Sequence, residues 1–182
     1  NIPGSLTDLP QGLFQENRKL HAVHFHPDCQ IPTIRKNTFG DCKSLTSLVL
    51  PDSITNIEDR AFYRCRSLDS VYFPEGLKRI GGQAFYSCNF TSLELPASLE
   101  VLEDSAFFKC TQLKYVRLPG NVRYIGKWVF HGCNRLKVLE IWHDPEFIGD
   151  WIINRAATIR CYRNSKVDQY CQEAGFKTEY LD

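Results

Sequence analysis

The chain has 182 residues, 43% of them hydrophobic, with 22 basic and 21 acidic side chains and a formal net charge of +1. That length supports one domain with a sizeable core, and the mixed charge excludes a basic nucleic-acid footprint or a polybasic membrane segment. No apolar run approaches the roughly 20 residues that span a bilayer; with no signal peptide and no Met at all, a processed or trimmed piece is expected, whose first residues do not report its address.

In chain order, a first unit is set by Pro3, Leu6, Leu9, Phe14, Leu20, Val23 and Phe25. An insertion follows in "HPDCQIPTIRKNTF", between His26 and Phe39. Four similar phrases then recur, "TFGDC", "AFYRC", "AFYSC" and "AFFKC", and a fifth, "VFHGC", closes the series. Their cysteines, Cys42, Cys65, Cys88, Cys110 and Cys133, are separated by 23, 23, 22 and 23 residues. Pro51, Pro74, Pro96 and Pro119 keep the same step. Within a copy the order is Phe62, Cys65, Leu68, Val71, Phe73, Pro74, then Leu77 and Ile80 leading to Phe85. One residue is missing after Cys88, where Phe90 fills the Leu slot. Leu136, Leu139 and Ile141 still fit, with Trp142 in the Pro slot, and the pattern then stops. Six Phe/Cys units precede a different ending, the first of them with Asn17 in the Cys slot.

A period of 20–29 residues carrying L-x-x-V-x-L marks a leucine-rich solenoid. The few side chains that one repeat buries do not offset the ordering of 23 residues, so the repeats must share cores and fold together. The ending "NSKVDQYCQEAG" offers Asn164 or Ser165 as a helix N-cap. Val167, Tyr170, Cys171 and Ala174 then recur at helical spacing, and Gly175 suits the helix end. "FKTEYL" alternates like a short strand. A segment from about 157 to 182 is expected to cover the open apolar face of the last repeat.

The template L-x-x-V-x-L-P…I-x-x-I-G-x-x-A-F-x-x-C closely resembles the BspA-like leucine-rich repeat family. "LKRIGGQAFYSC" and "LKYVRLPGNVRYIGKWVFHGC" carry it most plainly. The resemblance implies an α/β-type solenoid: a right-handed leucine-rich repeat superhelix with a parallel concave sheet, short helical turns on the convex side and a strand–helix–strand cap. Residues 1–182 form one domain on this reading. Repeats of 22–25 residues fill 1–142, and a divergent last repeat and cap fill 143–182. The resemblance also implies a bacterial or protozoan surface protein used in adhesion.

The five ladder cysteines fall at equivalent places on stacked repeats, about 5 Å apart. Parallel side chains at that spacing do not meet as a disulfide requires, and a straight ladder does not converge on a metal. They read as small buried hydrophobes. Cys29, in the insertion, is expected to be exposed. Cys161 and Cys171 flank the C-terminal turn, and two readings stand: a bridge between them, or two buried thiols.

Between the inward residues of each strand, two columns face the concave side. One reads His24, Val49, Tyr72, Glu94, Arg117, Glu140, Arg160; the other Ala22, Ser47, Ser70, Ser92, Tyr115, Val138, Thr158. From Glu94 onward the first column alternates in sign. It reads either as a self-satisfied salt-bridge ladder or as a recognition surface with Tyr72, Tyr115 and Trp142 as anchors. His24 and His26 share a strand face, but two imidazoles make half a metal site. The pairs Glu58–Asp59 and Glu103–Asp104 are expected to favour the start of a short helical turn. No G-x-S-x-G, H-E-x-x-H, P-loop or G-x-G-x-x-G motif is present.

These readings point to a non-enzymatic binding module without a cofactor. It would use the concave sheet against a protein or glycan of a host or neighbouring cell, with no nucleic acid and no membrane insertion. A structural spacer and an intracellular interaction scaffold are the alternatives.

Overall fold

The repeat period becomes geometry in the computed structural model, which describes residues 1–181. Every strand pairs in parallel, those of the repeats with their equivalents one repeat away and the last with the strand before it. The chain is a parallel β-solenoid, and all but one of the turns from β1 to β11 contribute a strand to each of two faces. The first sheet has six short strands: β1 Thr33–Ile34, β3 Asn56–Ile57, β5 Arg79–Ile80, β6 Val101–Leu102, β8 Tyr124–Ile125 and β10 Phe147–Ile148. Its register sets the second residue of each pair, such as Ile34, Ile57 and Ile80, in line toward the interior.

The second, here the front sheet, carries the two predicted outward columns. It is not continuous. β2 Ser47–Val49 pairs with β4 Ser70–Tyr72 as an island, while β7 Tyr115–Arg117, β9 Val138–Glu140, β11 Thr158–Cys161 and β12 Lys177–Tyr180 form a second block. Residues 22–25 bridge only backward, through Phe25 to Ile2. Residues 91–95 form no strand. Both interruptions fall where the period changes, at the 25-residue step from Phe14 to Phe39 and the 22-residue step from Phe85 to Phe107. The six-stranded sheet stays in register across the same 22-residue step, from Arg79 to Val101, so the lost residue after Cys88 is taken up on the front side alone.

The interior is a stack. Phe14, Phe39, Phe62, Phe85, Phe107 and Phe130 lie ring over ring with centroids 5.3, 5.2, 5.0, 5.2 and 5.6 Å apart. Phe90 does enter the core in the Leu slot, edge-on to Phe85 and Phe107 at 5.6 and 6.0 Å. Such contacts add about 0.5–1.5 kcal/mol each beyond burial.

Three expectations are corrected here. Among the described residues the only helix is α1, Lys166–Ala174; the opposite side of each repeat carries hydrogen-bonded turns and no short helices. The cause is backbone conformation. Asn37, Arg60, Gln83, Ser105, Trp128 and Trp151 all have φ of 55–60°. Asp41, Arg64, Ser87, Lys109 and Gly132 form a second left-handed column a few residues later. Two left-handed residues per turn forbid a right-handed helix. The acidic pairs accordingly serve another purpose: Asp59 Oδ1 accepts from Gly82 N at 2.9 Å, Asp104 Oδ1 from Lys127 N at 3.0 Å, and Glu58 Oε2 from Lys36 N at 2.8 Å. They tie one repeat to the next. Finally, Cys29 is buried, because the inserted segment folds inward with Ile31.

At the C-terminus Ser165 is the N-cap, its Oγ accepting from Asp168 N at 3.1 Å, and Gly175 ends the helix at φ 72°. Val167 and Cys171 are buried beneath α1, with Tyr170 and Ala174 partly buried. β12 then adds to β11 in parallel. Asp182, the last residue of the predicted ending, lies outside the described residues.

Candidate recognition face

The ladder cysteines stand behind the front sheet. All five are buried thiols. Each Sγ donates to the carbonyl of the Phe one repeat back: Cys42 to Phe14 at 3.1 Å, Cys65 to Phe39 at 3.0 Å, and Cys88, Cys110 and Cys133 to Phe62, Phe85 and Phe107 at 3.3 Å. A thiol therefore does more than fill space here; it adds a weak hydrogen bond to each repeat junction. Burial pushes the Cys42 thiol up to about 11. Cys161 and Cys171 are also free and buried, the second raised by burial to about 12.

On the face itself the predicted residues divide into two groups. In the N-terminal island, Val49 is 67% exposed and Tyr72 53% exposed, projecting from β2 and β4. His24 stands beside them across the first interruption, where a cleft of about 390 Å³ is lined by residues 22–27 and 47–52 together with Tyr72. His26 turns to Asp28, 3.6 Å away. Among the described residues, no group of three ligands forms around these histidines.

In the C-terminal block the residues engage one another. Arg160 Nη1 donates to Glu140 Oε1 at 3.0 Å and its Nε to Glu179 Oε2 at 2.6 Å. Trp142 Nε1 donates to Glu140 Oε2 at 3.0 Å. The Arg117 guanidinium lies 3.7 Å above the Trp142 ring. Burial pushes the Glu140 carboxyl up, but donors from Tyr115, Arg160 and Trp142 outweigh it, and the group is held below the usual range. Tyr115 stays 45% exposed and Trp142 40% exposed.

The alternating column is therefore only partly a salt-bridge ladder. Glu140 and Arg160 pair, but Glu94 and Arg117 form no ion pair among the described residues. Glu94 lies in the interruption, and Arg117 faces the opposite way, toward Trp142.

Two further surfaces escaped the sequence reading. Tyr63, Tyr86, Phe108 and His131 stack along the turn side with centroids 4.9, 5.2 and 5.7 Å apart. The signal was legible, since an aromatic ring follows the Phe in "AFYRC", "AFYSC", "AFFKC" and "VFHGC". The outward column of the six-stranded sheet ends in Tyr124 and Phe147, stacked at 4.7 Å. Two-residue strands give too short an alternation to be read from sequence.

Comparison with known proteins follows this geometry. The BspA type leucine rich repeat region matches residues 32–160 in six copies. Among solved structures, a leucine rich repeat protein of T. pallidum is similar, at 24% identity and a TM-score of 0.66, over 87% of this chain and 85% of that one. A leucine rich cell surface protein of Faecalibacterium prausnitzii A2-165 is 29% identical with a TM-score of 0.67, over 80% of this chain. This chain spans only 38% of that protein. The pneumococcal vaccine antigen PcpA shares the fold at 18% identity and a TM-score of 0.51, covering all of this chain and 67% of that one. No curated protein matches the chain.

Proposed function

The chain belongs to the BspA-type leucine-rich repeat family, and on that footing we propose that it is a non-enzymatic recognition module working outside a bacterial cell, with the front sheet as its docking face. The observation that carries this reading is the exposure of large apolar side chains along the front sheet. Val49, Tyr72 and Tyr115 project from β2, β4 and β7, Trp142 follows β9, and all four remain open to solvent. Rigid aromatic residues of this kind anchor interfaces at little entropic cost. The surface location rests on the similarity to the leucine rich cell surface protein of Faecalibacterium prausnitzii.

Tyr72, Tyr115 and Arg117 are the residues expected to carry affinity. The partner class is a protein or glycan of a host or neighbouring cell. The test is an array of purified extracellular proteins and glycans probed with the labelled chain. We expect discrete hits that the Y72A/Y115A/R117A variant loses while keeping its melting temperature. Unchanged hits would move the site elsewhere. The Glu140–Arg160–Glu179 pairing favours a purely structural role for that end of the sheet, and an array without hits would extend that role to the whole face.

A further inference from the structure

We propose that the interruption of the front sheet at residues 91–95 is a subsite for a neutral saccharide. This goes beyond docking by the face as a whole and rests on the cleft alone.

The lost residue after Cys88 leaves this segment out of both neighbouring strand ladders. Among the described residues, none of the backbone N–H groups of Thr91, Ser92, Leu93, Glu94 and Leu95 donates a hydrogen bond. The one ladder contact left is Lys114 N to the Thr91 carbonyl, stretched to 3.4 Å. Thr91, Ser92 and Glu94 are exposed, so these donors are left to solvent or to a ligand. Residues 91–94 line a cleft of about 430 Å³, within the range of small-ligand sites.

The chemistry of the walls selects the ligand. Ser70, Thr91 and Ser92 bring hydroxyls, and Asp69 and Glu94 bring carboxylates. Donors and acceptors are thus interleaved at close quarters. A sugar hydroxyl both donates and accepts, so a row of them complements such a surface. Two carboxylates and no cation in the lining disfavour a sulfated or uronic glycan. Tyr72 is one repeat before Glu94 and Tyr115 one repeat after Ser92; both are exposed, but neither lines the cleft, Tyr72 bordering the N-terminal cleft and Tyr115 turning to Glu140. An extended peptide is a poorer fit. Strand addition needs an open edge, and the gap between β4 and β7 is already filled by residues 91–95.

The test is titration of the ¹⁵N-labelled chain with maltohexaose, cellohexaose and mannohexaose at millimolar concentration, followed by amide NMR. At least one sugar is expected to shift the amides of residues 91–95. The S92A/E94Q variant, altered at two exposed positions, is expected to bind it about tenfold more weakly with the melting temperature unchanged. The wild-type shifts locate the site without any variant. If none of the three sugars moves those amides, the assignment is wrong. Equal binding by the variant would overturn it as well. The protein array reads the wider docking face separately, so failure of one does not imply failure of the other.

Discussion

Each ladder cysteine joins two repeats through its own proton, and that has a chemical consequence. A thiol pushed by burial to about 11, as Cys42 is, carries almost no thiolate at pH 8. Burial raises Cys65, Cys88 and Cys110 further. Titration with an aromatic disulfide reagent should leave the five unreactive in the folded chain. All eight cysteines should react after denaturation without reductant; finding ladder cysteines oxidised to one another would contradict the packing described. Asp168 makes a second residue-scale case. Its carboxylate accepts from Asn164 N, Gln172 Nε2 and Tyr180 Oη at 2.8, 3.1 and 3.2 Å. The Asn164 amide first, and then the two side chains, hold its folded pKa below the usual range. A depressed carboxyl stabilises above its unfolded value of about 3.9 and loses that contribution as pH falls through the folded value. Melting temperature should therefore drop below about pH 4, and the D168A variant should be less stable at pH 7 with a flatter acid limb. An acid limb unchanged in D168A would show that the carboxylate does not stabilise this turn.

At the scale of the element, the left-handed columns store strain that a single substitution relieves. Lys109 has φ 58°, and the equivalent place in the next unit is held by Gly132. Replacing Lys109 with Gly should raise stability by about 0.5–1 kcal/mol, the steric cost of the side chain less the entropy of glycine. Replacing it with Val, branched at Cβ, should lower stability; thermal melts of both variants decide, and a destabilising glycine would mean that the stacking of Lys109 on Phe108 matters more. These columns also mark the limit of the sequence. Phe, Leu and Cys at fixed steps made the core and the parallel stacking legible, since burial dictates those residue types. The left-handed positions hold Asn, Arg, Gln, Ser and Trp in turn; conformation there is imposed by neighbouring repeats, and no residue type announces it. The outward columns were legible too, because strand alternation fixes them. Their breaks were not, although the 25- and 22-residue steps were in plain view. The sequence told that the count changed, but only the structure shows the ladder opening there.

For the whole molecule, a stacked array has ends. Val167 and Cys171 of α1 and Phe176 beyond it are buried at the C-terminal end, and Tyr170 Oη donates to the Gly149 carbonyl at 3.0 Å. A chain ended at Ala156 loses all of these and is expected to melt lower and aggregate; a monomer with unchanged melting temperature would make the segment a linker. Two triple variants decide which of the two sheets recognises a partner. Affinity for an array-identified partner should be compared between Y72A/Y115A/R117A, on the front sheet, and N56A/Y124A/F147A, on the six-stranded sheet. The first is expected to lose on the order of a hundredfold, at about 1 kcal/mol per anchor, and the second to bind like the parent chain. Loss confined to the second variant would contradict the assignment and place recognition on the opposite sheet.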